Sequence, residues 1–577
     1  MRQKNQPPPL METNIEEKGQ KRFKKYDQSQ AMLVPIQLEG LIPEGSLARV
    51  VDSLVNRIEL ADLLPMYKSK GSPPYHPLML IKVWIYGYCE GVYTSRRLAK
   101  SLREGIVYLW LSGNQQPCFK TLSEFRGSKM QHLIDSVFTH VLSMLVELGY
   151  IELDELYLDG TKIEANANKH SGVWAKNTDR YKGKVQERIG VLLEEIKAMQ
   201  KAEDEKYGTK DLAEVGQGKD VSVTLSSAEI QSSLQGYYQA IEDAKTQDKA
   251  QQQIKELAKG LKKVEKELTS LERYAQQERI LAGRNSYSKT DPDATMMRLK
   301  DERLAAAYNL QHSTSNQYIV NYTVAQNTVD NTTLISHLNK MDQRWKDLQD
   351  LGVQTQGSTV QDPEKTPSLC ADAGYGTEEN YAELERRGWT AYVKYPLWHQ
   401  EISGELSKKK FRRENWPFDE QADYYLCPND RKLTFLKLGT NTTKTGYVVH
   451  VRIYQCEDCQ GCPFALECKG DSTLRTVQHS PKGEQYKKQA KALLDSVEGQ
   501  QARSQRSVEV ESAFGNIKYN LGYDRFLLRE LPKVYVEYGF WALAHNLRKV
   551  YCEQSGCWKV YYAQRASKKG QKVQKRA

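Results

Sequence analysis

The sequence predicts a multidomain α/β protein, and three observations carry that prediction. A chain of 577 residues is longer than one hydrophobic core serves. Two short apolar runs, Tyr157-Leu158 and Cys370-Ala371, each end on an aspartate, Asp159 and Asp372, with a glycine-bearing turn directly behind. That is how a strand delivers a carboxylate to the mouth of a sheet. Between and around them lie long tracts whose apolar residues recur at steps of three and four, the spacing of helices.

Taken in order, residues 1–30 are polar and Gln/Lys-rich and read as a disordered lead-in. Residues 31–150 read as a helical N-terminal domain. Pro77 opens a segment with an apolar face at Leu78, Leu80, Ile81, Trp84, Ile85 and Tyr88, and Leu133, Ile134, Val137, Val141, Leu142, Leu145 and Val146 form another face. Between them, the blocks beginning at Thr94 and Phe119 are basic, hydroxyl-bearing helix starts, so Arg96, Arg97 and Arg126 are candidate contacts to duplex DNA phosphates. A helical bundle with merely solvated arginines fits the same pattern.

The catalytic core is expected in three pieces, 151–179, 291–400 and 491–550, with two insertions. Within 180–290, apolar residues at Ile254, Leu257, Leu261, Val264, Leu268 and Leu271 alternate steps of three and four, and Val185, Ile189, Leu192, Ile196 and Met199 form a second run; the two predict a helical hairpin whose seam closes on itself. In the core, 317–324 has strand composition, 332–352 reads as a helix, 368–371 as the strand carrying Asp372, 378–387 as a helix and 390–395 as a strand. Residues 401–490 are a cysteine-rich insertion. The tail 551–577 is basic, with six cations and no acid from Arg565 onward.

Composition narrows the class. The formal charge of +10, from 83 Lys+Arg against 73 Asp+Glu, argues for local basic surfaces over a uniformly cationic one. No apolar run reaches the roughly 18 residues of a membrane span and the N-terminus lacks a signal-peptide core, so a cytoplasmic protein without a membrane partner is expected.

Two aspartates and a glutamate brought together make a hard-oxygen site for paired Mg²⁺ or Mn²⁺ acting on phosphates. The alternative for Asp159 and Asp372 is an ordinary turn-forming role beside glycine. The third acid must be chosen between Glu509 and Glu511, which share a helix. At about 100° per residue Lys518 returns almost to the face of Glu511 and lies opposite Glu509, so Glu511 is selected and Glu509 is expected to point away. Arg503, Arg506, Lys518 and Lys162 are candidate phosphate-binding cations. Cys427, Cys456, Cys459, Cys462 and Cys468 supply five thiols for the four places of a structural Zn²⁺ site; an iron–sulfur cluster or buried reduced thiols remain alternatives.

These blocks, above all Asp159-Gly160-Thr161-Lys162-Ile163-Glu164-Ala165-Asn166-Ala167-Asn168 and Asp372-Ala373-Gly374-Tyr375-Gly376, resemble the DDE transposases of bacterial insertion sequences, in the group whose core is interrupted by a long helical segment. The resemblance runs from about residue 35 to about residue 550. It implies an RNase H-like mixed-sheet core, two Mg²⁺ (or Mn²⁺) ions per active site on Asp159, Asp372 and Glu511, and a DNA transposase that binds the ends of its element and performs strand cleavage and strand transfer. It also implies double-stranded DNA as partner, both the element's terminal repeats and target DNA, a homodimer on that DNA, and a place at the nucleoid. The family signature departs here: Ser504 and Ser507 stand where Tyr and Arg are usual, with Arg506 one residue from the Arg position, so the phosphate-gripping residue stays open. A catalytically inactive DNA-binding relic and a metal-dependent nuclease without strand transfer stay open too.

Overall fold

The computed structural model describes residues 37–58, 74–207, 251–353 and 366–556; the expected lead-in 1–30, the linker between the two insertion helices and the basic tail from Arg565 lie outside them. Its centre is a mixed sheet built from β1 (Glu155–Glu164), β4 (Thr295–Arg298), β5 (Leu304–Ser315), β6 (Tyr318–Ala325), β7 (Ser368–Ala371) and β8 (Thr390–Val393), while β2 (Gly172–Trp174) and β3 (Ser286–Ser288) form a separate ribbon. Strand β1 is central. It pairs antiparallel with β5 on one side and parallel with β7 on the other, and β8 continues the parallel half. On its far edge β5 takes β4 along its first residues and β6 along the rest. The arrangement is compatible with an RNase H-like sheet. Leu158 faces Ala371 in the parallel ladder, so Asp159 and Asp372 leave neighbouring strands side by side.

Six helices precede the sheet: α1 (Leu47–Asn56), α2 (Pro77–Cys89), α3 (Ser95–Glu104), α4 (Ile106–Leu111), α5 (Phe119–Glu124) and α6 (Met130–Glu147). They do not enclose a core of their own. Their buried side chains run into one cluster with the sheet and with the last helix. Among the helices that follow are α7 (Ala175–Tyr207), α8 (Gln251–Leu281), α9 (Leu334–Asp350), α10 (Glu378–Arg386), α11 (Trp398–Ile402), α12 (Ala465–Lys469), α13 (Pro481–Asp495), α14 (Val497–Gly515) and α15 (Leu531–Ser555). Helix α15 is buried almost all round from Val534 to Val550, and so reads as a core helix instead of an amphipathic one. It packs on α2, α6 and β6; Phe540 stacks on Tyr88 with centroids 5.1 Å apart, and Trp541 lies 4.3 Å from Tyr93. Gly539 marks the tightest point, where a Cβ would run into Ile134 of α6 and the Tyr322 hydroxyl of β6. This helix continues to Ser555, so the expected basic tail does not begin at 551.

Helices α7 and α8 pack antiparallel. Val185, Ile189, Leu193 and Ile196 meet Leu261, Val264, Leu268 and Leu271 in a cluster separate from the main core, and the pairs Lys182–Glu278 and Arg188–Glu267 flank it. The cysteine-rich stretch carries a second, antiparallel sheet of β9 (Phe418–Asp419), β10 (Tyr424–Leu426), β11 (Lys432–Thr442), β12 (Val448–Cys456) and β13 (Thr476–His479), with its own small core around Trp416, Tyr425, Leu433, Tyr454 and Val477.

Candidate active site

Asp159 sits in the middle of β1 and Asp372 one residue past β7, and helix α14 lies across both strands. Ser496 caps that helix by accepting from the Gly499 N–H, and Arg506, two turns on, reaches Asp159 Oδ1 at 3.1 Å. The Gly160 N–H donates to the same oxygen at 2.9 Å. Burial pushes the Asp159 carboxyl above its usual range; Arg506 opposes the shift, while Asp372 and Asp330 add to it. At Asp372 burial also raises the carboxyl, but Arg506, the Ala373 N–H, Lys394 and His399 outweigh it and hold the group below its usual range. Lys394 Nζ stands 3.6 Å and His399 Nε2 3.9 Å from Asp372 Oδ1. Two neighbouring carboxylates are thus shifted in opposite directions, as happens where charge is concentrated for use.

The cations around this pair are unevenly placed. Arg506 is 9% exposed and its Nε has no hydrogen-bond partner. Lys518 lies in a π-helical turn, Asn516–Asn520, and donates to the Thr161 hydroxyl on β1. Burial, with Lys300 nearby, lowers its pKa to about 8. Arg503 donates to the Gly499 carbonyl at 3.3 Å and lies 5.0 Å from the Trp398 ring centroid, and Lys162 is half-buried on β1. Phe514 stacks at 3.7 Å on His312, the residue opposite Asp159 in the β1/β5 ladder.

The two glutamates do not sit as the helical count expects. Glu509 is buried, accepting from the Gln317 backbone N–H and from Gln505, while Glu511 is exposed and meets neither Asp159 nor Asp372 among the described residues. The expectation that Glu509 points to solvent is therefore corrected: it anchors α14 to the β5–β6 turn. The uniform 100° count also fails, because the π-turn inserts extra backbone before Lys518. Glu511 stays on the exposed rim, about 140° around the helix from Arg506 at about 100° per residue.

Arg126 is a second correction. It is 4% exposed, donates to the Tyr88 hydroxyl and the Tyr93 carbonyl, and lies 4.3 Å from the Trp84 ring centroid, so it belongs to the core and cannot contact DNA as placed. Arg96 and Arg97 are exposed at the start of α3, where Thr94 accepts from the Arg97 N–H. Arg96 lines a cleft of about 950 Å³ with Lys120, Asn166, Arg529 and Lys533.

The residues at Asp159 and Asp372 suit an oxygen-preferring divalent ion: the donors are carboxylates, and a guanidinium already supplies positive charge to Asp159. Among the described residues no three His, Cys, Asp or Glu side chains are grouped closely enough to hold a metal as placed. The cysteines gather at one end of the small sheet. Cys427 follows β10 and accepts from the Asn429 N–H, Cys456 ends β12, and Cys427, Cys459 and Cys462 all act electrostatically on Cys468. Burial, then Cys459, raises the Cys456 thiol to about 12.

Sequence reasoning missed Asp330, Lys394 and His399 at this site. They come from turns and strand ends with no motif of their own, and only the fold brings them to the aspartates.

Residues 36–128 match the family described as Transposase domain (DUF772), and residues 426–551 match the family described as Transposase DDE domain. The second match contains Arg506, Glu511 and Lys518 but neither aspartate. Neither a curated protein nor a solved structure gave a significant match.

Proposed function

We propose that this chain, whose two transposase-family segments are consistent with a DDE transposase of an insertion sequence, cuts DNA at the ends of its element and joins those ends to target DNA by two-metal phosphoryl transfer. The observation that carries the reading is the pair of aspartates at adjacent parallel strands beneath a helix that offers Arg506. Asp159, Asp372 and Glu511 hold the ions, Mg²⁺ or Mn²⁺, which supply an activated oxygen nucleophile and stabilise the leaving 3′-oxygen. Glu511 must swing inward from the rim to join, a movement its exposure leaves free. Arg506, Arg503, Lys518 and Lys162 are placed to grip the scissile phosphate, and Arg96 and Arg97 with their cleft to hold flanking duplex. A homodimer pairing two ends completes the reading, with a structural Zn²⁺ on four of Cys427, Cys456, Cys459, Cys462 and Cys468.

Asp159→Asn and Asp372→Asn test it directly. Each keeps the side-chain shape and loses the charge, so Mg²⁺-dependent cleavage of an element end should fall by roughly three orders of magnitude or more while end binding persists. Near-normal cleavage by either variant removes that aspartate from the site. Joined products in the same assay separate a transposase from a nuclease that only cuts, and no cleavage by the unmodified chain leaves the DNA-binding relic.

A further inference from the structure

A third carboxylate stands beside the two aspartates, from an element that neither motif includes. Asp330 opens the short turn Asp330–Thr332 ahead of α9, and that turn packs on Ala373–Tyr375, directly behind Asp372. Its Oδ1 accepts from Asn309 Nδ2 at 2.7 Å and from Gln311 Nε2 at 3.0 Å. The fully buried Tyr375 donates its hydroxyl to Gln311 Oε1, which turns the amide so that its NH₂ faces Asp330. One carboxylate oxygen is therefore fixed. The other, Oδ2, takes no hydrogen bond among the described residues, and Asp330 has no ion pair there.

The glycines behind both aspartates make room for this side chain. A Cβ on Gly160 would lie 2.8 Å from Asp330 Oδ1 and 2.5 Å from Gln311 Nε2; a Cβ on Gly374 would lie 3.6 Å from Asp330 Oδ2. Gly160 and Gly374 thus serve more than their turns, since any larger residue at 160 would displace the carboxylate. On the other side of β1, Arg506 is about nine-tenths buried with an unpartnered Nε and its guanidinium on Asp159. A positive group is held at the spot where these acidic elements meet, and a buried carboxylate kept half-unpaired has a cost unless a cation uses it.

We propose that Asp330 is an acidic ligand of the same divalent-metal centre, presenting Oδ2 from the turn before α9, in addition to Asp159, Asp372 and Glu511. The inference rests on the two-metal reading above. With Glu511 on the exposed rim, Asp330 is the carboxylate that the fold itself holds against Asp159 before DNA arrives.

Mn²⁺ titration of the full-length protein, followed by the electron paramagnetic resonance of the free ion, tests this without relying on activity. Asp330→Asn keeps an oxygen acceptor for Asn309 and Gln311, so a merely structural role predicts unchanged Mn²⁺ affinity and an unchanged melting temperature. The ligand role predicts an unchanged melting temperature with Mn²⁺ affinity lower by roughly tenfold or more, and Asp330→Glu recovering part of it. Gly160→Ala, which crowds Asp330 from the opposite side, should lower Mn²⁺ affinity as well. Unchanged affinity in Asp330→Asn, with Asp159→Asn clearly weakened, overturns the role of Asp330 and leaves the two-metal reading standing. Unchanged affinity in both overturns the two-metal reading with it.

Discussion

At the scale of single residues, the position of an arginine decides between two jobs that its sequence context cannot separate. Arg126 follows a basic, hydroxyl-bearing helix start as a DNA contact would, yet it is folded inward toward Tyr88, Tyr93 and the buried Glu537. Glu537, 0% exposed, also accepts from the Leu527 and Leu528 N–H groups, and removing Arg126 leaves its charge without a counter-ion. Arg126→Ala should therefore cost about 3–5 kcal/mol in urea denaturation and leave the salt dependence of DNA binding unchanged. A shallower salt slope would return Arg126 to the DNA surface. Lys518 gives a pH signature. Its pKa of about 8 lies below the roughly 10.4 of an exposed lysine, so it is charged at pH 7 and loses its proton as pH rises through about 8. Affinity for an element end should fall across pH 7 to 9, with Lys518→Arg nearly flat. Fold stability should move the other way: the penalty for charging the buried lysine is present below about pH 8 and is relieved as pH climbs towards roughly 10.4. The aspartates were legible because a local apolar run and a glycine announce each of them. The glutamates were not, because an irregular helical turn and one backbone N–H at Gln317 decide which of the two points inward.

At the scale of elements, pattern was readable where one side of an element faces water. The α7–α8 seam is such a case, and its ion pairs are exposed enough to add little. Strand β5 is the opposite case. Its Asn309, Gln311, His312, Ser313 and Thr314 are all fully buried, each polar group satisfied by a neighbour in the fold, so no alternation of apolar and polar residues betrays a strand. The same concealment hid Asp330, whose partners are on that strand. Because the buried residues of the helical pair form their own cluster, Leu261→Ala should loosen the pair by about 2–5 kcal/mol, seen as faster proteolysis within 175–281, without changing Mn²⁺ affinity at the aspartates. A matching loss of Mn²⁺ affinity would tie the pair to the catalytic sheet. For the small cysteine-bearing sheet, elemental analysis should return one zinc per chain, lost in Cys456→Ser, with chelation unfolding that sheet ahead of the core. Purified protein free of both zinc and iron removes metal from that segment.

At the scale of the whole molecule, the sequence suggests a row of modules, while the described residues share one main core. The reason lies in α15, which the chain reaches only after every insertion. Its Phe540 and Trp541 rings meet Trp84, Tyr88 and Tyr93 from the first helices, Arg548 donates to the Cys89 carbonyl, and Asn546 both donates to and accepts from the backbone of Ile319 on β6. The catalytic sheet is thus fastened to the N-terminal helices through a helix that belongs to neither neighbourhood in sequence. Composition cannot report this, since a helix buried all round and a helix at a domain boundary carry the same apolar residues. If the first helices were an independent DNA-reading module, removing residues 1–150 would leave a soluble core. The packing predicts the reverse. Truncation should expose the faces of α15 that hold Phe540, Trp541 and Leu547 and give aggregated protein, and Gly539→Val in the full chain should reproduce part of that defect by forcing α15 away from Ile134 and Tyr322. A soluble, monodisperse 151–577 fragment with a cooperative melt would show that the shared core is dispensable, and with it the mechanical link between end binding and the aspartates.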